Sequence, residues 1–287
     1  MKPAPFGYVR PSTLEELLGT LAPGDVLLAG GQSLLPELNE RRRLPRRLVD
    51  LNAVTELSRW EPGPGALVAG ALTRHRDLAG RADVRAAVPV LAEAARHVGH
   101  AAVRSRGTLG GSIANADPAA ELPGVCVLLG AAATLRTPGA AGERAVPVAD
   151  LLRPGGLADN EVITAVRIPA LRAGEGWGFR ELSRPGAYAF PLVTVAATVM
   201  LGADGTVAGL RAAVTGAAEA PYTLGDDEAA GLLGSLPADP WADAAAGRLA
   251  AAARPVTDHY ASAAYRRRMV RHLARQAVAD ATRRAAA

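Results

Sequence analysis

The stretch "VLLAGGQSLLP" at residues 26–36 places two adjacent glycines, Gly30 and Gly31, between a short apolar run and a segment with helix-forming composition. The same device recurs at residues 106–123, "RGTLGGSIANADPAAELP", which contain Gly110 and Gly111. A glycine pair between a strand and a helix permits a positive φ and removes the Cβ atoms that would keep a ligand away from the backbone. The repeat therefore predicts two strand-to-helix loops of one kind.

Such loops are suited to binding phosphate. Backbone N–H groups at the start of a helix lack intrahelical acceptors and lie at the positive end of the helix dipole, which favours an anion. Two converging loops of this kind would hold both phosphates of a dinucleotide without a lysine or a metal. The alternative is that each glycine pair is a tight turn. Neither loop matches the G-x-G-x-x-G or G-x-x-x-x-G-K-[ST] patterns, so a Rossmann or P-loop site is not expected.

Composition points to a layered α/β protein. The chain has 287 residues, of which 49% are hydrophobic and only 4% aromatic, so its core must be built mainly from Ala, Val and Leu. The length allows two or three compact units. The single cysteine, Cys126, cannot build a disulfide framework, a zinc site or an iron–sulfur cluster, so any such cluster must belong to a partner.

The basic balance does not point to nucleic acid. The net charge is +4, but Lys2 is the only lysine, and the arginine clusters at 41–47 and 266–268 have no interleaved aromatic residues to stack on bases. These clusters are expected on solvated faces or subunit contacts. The chain shows no leader and no apolar run near the ~20 residues that span a bilayer, so we expect a cytoplasmic protein without a membrane contact.

The residue pattern predicts the order of the elements. "STLEELLGTLA" at 12–22 reads as a capped helix, and 25–54 read as strand, crossover and strand, which makes parallel sheet. Residues 66–73 read as a strand, the helical region that follows is interrupted by Pro89, and 125–137 read as a strand or buried element. Residues 160–218 alternate as in an antiparallel meander, and two helical segments close the chain.

Six segments, in order, resemble the FAD-binding medium subunit of the molybdenum hydroxylases, the group of xanthine dehydrogenase and aerobic carbon monoxide dehydrogenase. Besides "AGGQS" and "TLGGS", they are "LVDLNAV", "VAGALTRHRDLA", "RSRGTLGGSIANADPAAELP", "EVITAVRIP", "ELSRPGAYAF" and "PVTDHYASAAYRRRMVRHLARQA". The resemblance implies an α+β fold: a two-part α/β FAD-binding domain of the PCMH type, then a C-terminal domain with an antiparallel sheet and helices. The implied units are residues 1–58, 59–171 and 172–287.

The resemblance also implies a function. In such enzymes a large subunit oxidises the substrate at a molybdenum cofactor, and a small subunit with [2Fe–2S] clusters passes the electrons to FAD on the medium subunit. The medium subunit then delivers them to NAD or another acceptor. Two alternatives stay open: a standalone FAD-dependent oxidoreductase acting on a small metabolite, and a scaffold subunit that has lost FAD.

By residue, the resemblance assigns the two glycine loops to the FAD diphosphate. A carboxylate at Glu121 would accept hydrogen bonds from the ribityl or ribose hydroxyls, and Tyr188 would cover the flavin ring. Asp117 is alternatively a turn cap before Pro118, and Tyr188 is alternatively a core residue. The predicted cofactor-binding residues are Ala29, Gly30, Gly31, Gln32, Ser33, Leu34, Thr73, Thr108, Leu109, Gly110, Gly111, Ser112, Asn115, Asp117, Glu121 and Tyr188; His75 is a further candidate near the adenosine.

Some positions depart from the family's common pattern. Gln32 stands for His, Ser112 for Asn, Glu121 for Asp, and Ala187 for an acid. The segment 151–161 is also shorter than its counterpart, which would leave the flavin more open. The histidines His97 and His100 lack further ligands at metal-binding spacing, so no metal site is expected.

Overall fold

A computed structural model of the chain describes residues 2–183 and 190–287. The strands of these residues form three sheets, of three, five and four strands. Helices pack against the sheets, and the buried core falls into three apolar clusters. The fold is α+β, as the sequence predicted.

The first sheet is parallel. Its order is β1-β3-β2, and the elements of this part are β1 Gly7–Val9, α1 Leu14–Thr20, β2 Asp25–Leu28, α2 Leu34–Asn39 and β3 Arg47–Asp50. The predicted strand, crossover and strand are confirmed, and β1 is an additional strand that the sequence did not indicate. Two short 3-10 helices, Leu51–Ala53 and Thr55–Ser58, lead out of the sheet.

Helix α1 begins as its sequence predicts. The Thr13 hydroxyl accepts from the Glu16 N–H at 3.1 Å, and a Glu16 carboxylate oxygen accepts from the Ser12 N–H at 2.7 Å. Two amides that the helix leaves unpaired are thereby satisfied. Leu17 is fully buried beneath the helix, in the cluster with Val49 and Leu51.

The second sheet is antiparallel throughout. Its order is β4-β5-β8-β6-β7, formed by β4 Trp60–Gly63, β5 Ala66–Gly70, β6 Ala132–Arg136, β7 Arg144–Pro147 and β8 Val162–Pro169. Its helices are α3 His75–Gly80, α4 Ala82–Ala87, α5 Pro89–His97, α6 Ala101–Arg106, α7 Leu109–Asn115, α8 Glu121–Leu128 and α9 Val148–Leu151. Pro89 is the first residue of α5, which confirms the predicted interruption.

Residues 125–137 divide between two elements. The first four continue α8 to Leu128, and the strand begins only at Ala132. An apolar run without polar alternation does not distinguish a buried helix from a buried strand, because both bury every side chain.

The third sheet is an antiparallel meander, with order β12-β11-β10-β9. Its elements are β9 Glu175–Leu182, β10 Val193–Leu201, β11 Val207–Thr215, β12 Tyr222–Thr223, α10 Asp226–Ala230, α11 Asp239–Ala252 and α12 Ala263–Ala285. The meander is confirmed, but the predicted block also contained β8, which joins the second sheet. Helix α12 packs closely on β9 at Gly178, where a Cβ would lie 1.9 Å from the Ala277 carbonyl oxygen.

The C-terminal part contacts the turn before α8 and helix α5 directly. The Gly216 N–H donates to the Pro118 carbonyl at 2.8 Å, and the Thr215 hydroxyl donates to the Ala119 carbonyl at 3.3 Å. On α5, the His97 ring lies 3.7 Å from a Glu181 oxygen, and that carboxylate raises the pKa of His97. The domain boundaries after residues 58 and 171 stay a prediction.

Arg266 corrects one expectation. Instead of lying on a solvated face, its side chain is buried and donates to the carbonyls of Leu192 and Gly216 at 2.7 and 3.1 Å, and to Asp258 at 2.6 Å. The cluster at 266–268 therefore contains one buried arginine with a structural role beside two exposed ones. Within the described residues, no helix has the length and apolar character required to cross a membrane.

Candidate functional site

A cleft of about 690 Å³ lies between the two glycine loops and extends towards α8. It gathers most of the predicted cofactor-binding residues into one wall. Those that line it are Ala29, Gly30, Gly31, Gln32, Ser33, Leu34, Thr108, Gly110, Gly111, Ser112, Asn115, Asp117 and Glu121.

Two predicted residues of the described part of the chain are not part of this wall. Leu109 is fully buried in the core, and Thr73 is buried behind the second loop, where its carbonyl accepts from the Leu109 N–H at 3.0 Å. Neither side chain lines the cleft. Tyr188, and Ala187 beside it, lie outside the described residues.

The first glycine loop connects β2 to α2. Gly31 has φ of +72°, a conformation that L side chains rarely adopt, so its glycine is required by the backbone. The Gln32 amide donates from Nε2 to the Gly30 carbonyl at 3.2 Å, and the Ala29 carbonyl accepts from Asn52 Nδ2 at 2.9 Å. Side chains thus hold two consecutive carbonyls of the loop.

The N–H groups of the first loop are free. Within residues 2–183 and 190–287, nothing accepts a hydrogen bond from the backbone amides of Gly30, Gly31, Gln32 or Ser33. Nor does the Ser33 hydroxyl cap the helix that follows. Unpaired donors at a protein cleft are costly unless water or a ligand pairs them, so this loop is arranged to receive an acceptor.

The second glycine loop uses its amides internally, which differs from the expectation that both loops present free donors. The Leu109 and Gly110 amides donate to the carbonyls of Thr73 and Ala71 at 3.0 and 2.9 Å. The Gly111 amide donates to the Thr108 hydroxyl at 3.2 Å, which caps α7. The sequence did not reveal these acceptors, because they come from the loop after β5.

The glycines set how closely the loops approach. A Cβ on Gly30 would lie 2.4 Å from the Arg106 carbonyl oxygen, and one on Gly110 would lie 2.6 Å from Ala71 Cβ. The second glycine of each pair meets side chains instead: Leu35 at 3.1 Å for Gly31, and the Thr108 hydroxyl at 2.7 Å for Gly111. The first glycine of each pair is therefore a packing position.

Carboxylates occupy the other end of the cleft. Glu121, the first residue of α8, is 4% exposed, and burial raises the pKa of its carboxyl to about 8. Burial also raises the pKa of Asp117, whose carboxylate accepts from the Ala119 N–H at 2.8 Å. That bond confirms the turn-capping alternative for Asp117, while the residue also lines the cleft.

His75 lies behind the second loop. Its ring is buried, packs against Gly107, and has no hydrogen-bond partner for either nitrogen among the described residues. Burial lowers the pKa of His75 to about 4, so the ring is neutral at pH 7. The residue borders the cleft but serves mainly as a packing group beside Gly107.

Several residues of the site were missed by the sequence analysis. Asn52 and Arg74 connect the two loops through hydrogen bonds, and the exposed Arg42 and Arg43 line the cleft. Phe190 and the segment 157–159 also line it. Asn52 and Arg74 lie within segments that carry the family resemblance, but spacing along the chain does not reveal contacts between distant residues.

A smaller cleft of about 500 Å³, between α1 and the strand β6, contains none of the predicted residues. In the described part of the chain, no group of three or more His, Cys, Asp and Glu side chains could hold a metal. Cys126 is buried, and burial raises the pKa of its thiol to about 12. The cleft between the glycine loops is thus where the chain's predicted binding residues converge.

Two family models match the chain. Residues 4–171 match the FAD binding domain in molybdopterin dehydrogenase, and residues 177–281 match the CO dehydrogenase flavoprotein C-terminal domain. The first model contains both glycine loops and the whole cleft wall except Phe190.

Curated relatives match three quarters or more of the chain. The chain is 36% identical over 292 residues to the 6-hydroxypseudooxynicotine dehydrogenase complex subunit alpha of Paenarthrobacter nicotinovorans, covering 99% of this chain and 97% of that protein. It is 37% identical over 226 residues to the carbon monoxide dehydrogenase medium chain of Hydrogenophaga pseudoflava, covering 76% and 77% of the two proteins.

Solved structures show the same fold. Carbon monoxide dehydrogenase from Hydrogenophaga pseudoflava contains a chain with a TM-score of 0.92 and 32% identity, covering 99% of each chain. Quinoline 2-oxidoreductase from Pseudomonas putida 86 contains another, with a TM-score of 0.91, 31% identity and 99% coverage of each chain.

Proposed function

The chain belongs to the family of FAD-binding medium subunits of molybdenum hydroxylase-type dehydrogenases, and on that premise we propose how it holds FAD and exchanges electrons. FAD is its cofactor, and the chain is a flavoprotein oxidoreductase subunit. We propose that the FAD diphosphate lies at the first glycine loop, and that the flavin passes electrons from a partner's iron–sulfur clusters to an acceptor such as NAD.

The free amides of Gly30, Gly31, Gln32 and Ser33 are the observation that carries the binding proposal. A diphosphate offers several acceptor oxygens with negative charge, and charge-assisted hydrogen bonds to backbone N–H groups are about twice as strong as neutral ones. The glycines leave the backbone accessible there. The residues present therefore fit the group: they supply donors where the ligand supplies acceptors.

The lining supplies cations for the diphosphate and a polar group for the ribityl chain. Arg42 and Arg43 line the cleft together with the acids Asp25, Glu37, Asp117, Glu121, Asp159 and Glu161. Asp25 and Glu161 are paired with Arg47 and Arg144, and we propose that Arg42 and Arg43 attract the diphosphate. Protonated Glu121 can donate to, and accept from, the hydroxyls of a ribityl chain.

When bound, FAD supplies the hydride and single-electron chemistry, and the protein supplies position and electrostatics. The chain's own contribution is to hold the diphosphate and to exclude water along the buried wall formed by Glu121 and Ala120. We further propose that the partners are a small subunit with [2Fe–2S] clusters and a large subunit with the molybdenum cofactor. Names such as "medium chain" and "complex subunit alpha" among the relatives support such an assembly.

The experiment has two stages. The chain is purified alone, and its absorption bands and its content of released FAD are measured; we expect stoichiometric FAD, and a colourless protein that refuses added FAD would contradict the binding proposal. The chain is then co-expressed with the small and large subunits of the proposed complex. Co-purification and substrate-dependent NAD reduction are expected, while turnover of a metabolite by the isolated chain would contradict the subunit role.

A further inference from the structure

One hydrogen-bond network connects the two glycine loops. We infer that Asn52 and Arg74 are positioning residues that fix the direction of the free Gly30 amide in the first loop. The inference rests on the proposed function of that cleft, and it concerns residues whose side chains do not themselves line the cleft.

The Asn52 side chain makes three hydrogen bonds. Its Nδ2 donates to the Ala29 carbonyl at 2.9 Å and to Asp50 Oδ1 at 2.5 Å, and its Oδ1 accepts from Arg74 Nη2 at 2.6 Å. These partners also decide which atom is oxygen and which is nitrogen, because a flipped amide would lose all three contacts.

The contact with Ala29 fixes a donor. A trans peptide unit is planar, with its C=O and N–H pointing in opposite directions. When Asn52 holds the Ala29 carbonyl on one side, the N–H of Gly30 must point to the other. Gln32 holds the Gly30 carbonyl in the same way, which directs the N–H of Gly31. Two of the free amides are thereby oriented by side chains that grip the carbonyl of the same peptide.

Arg74 extends the network to the second loop. Besides Asn52, its guanidinium donates from Nη1 to the Arg106 carbonyl. That carbonyl is the atom that a Cβ on Gly30 would meet at 2.4 Å. One planar, always charged side chain therefore holds the first loop through Asn52 and fixes the backbone against which Gly30 packs.

The network is anchored in the first sheet. Asp50, the last residue of β3, accepts from the Asn52 N–H at 2.9 Å and from the Tyr8 hydroxyl at 2.6 Å. Arg10 lies 3.8 Å from the same carboxylate. An oriented set of donors has lost its freedom before the ligand arrives, so binding does not have to order it.

The test measures FAD binding by the apo-form of the full chain, using calorimetric titration. Asn52→Ala and Arg74→Gln are each expected to weaken FAD binding at least about tenfold, since each removes a hydrogen bond to a charged group or a loop carbonyl. Arg74→Lys keeps the charge on a single donor nitrogen and should recover part of the loss. Arg211→Gln is the matched control: Arg211 pairs with Glu175 at 2.6 Å, far from either loop in the sequence and on the C-terminal sheet.

A second readout separates positioning from general destabilisation. At saturating FAD, the phosphorus NMR signals of the bound diphosphate should shift in Asn52→Ala and Arg74→Gln but not in Arg211→Gln, whatever each variant's melting temperature. Affinities within twofold of wild type together with unshifted phosphorus signals would overturn the inference. If Asn52→Ala does not fold, the comparison of Arg74→Gln with Arg74→Lys decides. Failure of the wild-type chain to bind FAD would instead contradict the proposed function.

Discussion

The two glycine loops have nearly the same sequence pattern and different hydrogen bonding. In "AGGQS" the amides of four consecutive residues are free, whereas in "TLGGS" the amides of Leu109, Gly110 and Gly111 have acceptors within the protein. The difference arises from the neighbours: the second loop lies against Ala71 and Thr73, which offer carbonyls. A shared motif thus indicates similar backbone geometry but not a shared role.

One rule does hold for both loops. In both pairs, a Cβ added to the first glycine would clash with another segment of the chain, whereas a Cβ added to the second would meet side chains. We therefore expect substitutions at Gly30 and Gly110 to affect folding, and those at Gly31 to affect the ligand. The following predictions test this division.

The largest effect is expected at Gly31. Valine there would place a branched side chain at a φ of +72° and displace the adjacent amides, so FAD binding should weaken at least about 100-fold. The measurement is FAD retained through gel filtration, followed by titration. Gly65→Val is the matched control, because Gly65 has the same φ of +72° with nothing within 4 Å of its Cβ. Equal FAD loss in both variants would mean that general strain, and not the loop, is responsible.

Valine at Gly111 provides the other half of that comparison. Its Cβ would lie 2.7 Å from the Thr108 hydroxyl and would break the cap of α7, but the Gly111 amide is already used within the loop. The sequence alone predicts loss of FAD in both variants. From the hydrogen bonding we expect a smaller loss than at Gly31, and a greater loss at Gly111 would reverse the roles of the loops.

Alanine at Gly110 should act on the fold. Its Cβ would lie 2.6 Å from Ala71 Cβ and 2.9 Å from the Ala71 backbone, and such overpacking is expected to cost about 3 kcal/mol of unfolding free energy. Urea unfolding monitored by circular dichroism measures it. Gly247→Ala, within α11 and with nothing near its Cβ, should be neutral or stabilising. If both variants unfold at the same urea concentration, the close approach of Gly110 to Ala71 is not a constraint.

Acid should weaken the support of the second loop. The folded pKa of His75 is about 4, below its ordinary value of 6.5, so the unfolded chain binds a proton between these pH values and the folded chain does not. Stability from the neutral ring is complete above pH 6.5 and is lost as pH falls towards 4, by on the order of 3 kcal/mol. His75→Phe should remove this component from the pH dependence of urea unfolding. Parallel pH profiles for the two proteins would contradict it.

The smallest effect concerns the helix caps. Thr108 caps α7, whereas Ser33 makes no cap bond to α2. Thr108→Val should therefore cost about 1 kcal/mol of unfolding free energy, and Ser33→Ala only a few tenths. For FAD binding we expect the opposite order: Ser33→Ala should weaken it more than Thr108→Val, because Ser33 lines the cleft and its hydroxyl makes no cap bond. Thermal unfolding in the absence of FAD distinguishes the two variants, and a larger cost for Ser33→Ala would contradict the cap assignment.

Much of the fold was predictable because its signals are local. The cap of α1, the interruption at Pro89 and the glycine at Gly31 each follow from a residue's own backbone chemistry. The partners of Arg74 and the burial of Arg266 were not, since both depend on carbonyls supplied by residues distant along the chain. Thr73 and Leu109 were predicted to bind the cofactor, but a motif does not tell which of its side chains point towards the core.

The central claim is that the amides of the first glycine loop hold the FAD diphosphate, and a crystal structure of this chain with FAD bound tests it most directly. We predict diphosphate oxygens within hydrogen-bonding distance of the N–H groups of Gly30, Gly31, Gln32 and Ser33, with the Ala29 carbonyl still held by Asn52. A diphosphate bound away from these amides, with the first loop facing solvent, would contradict the account.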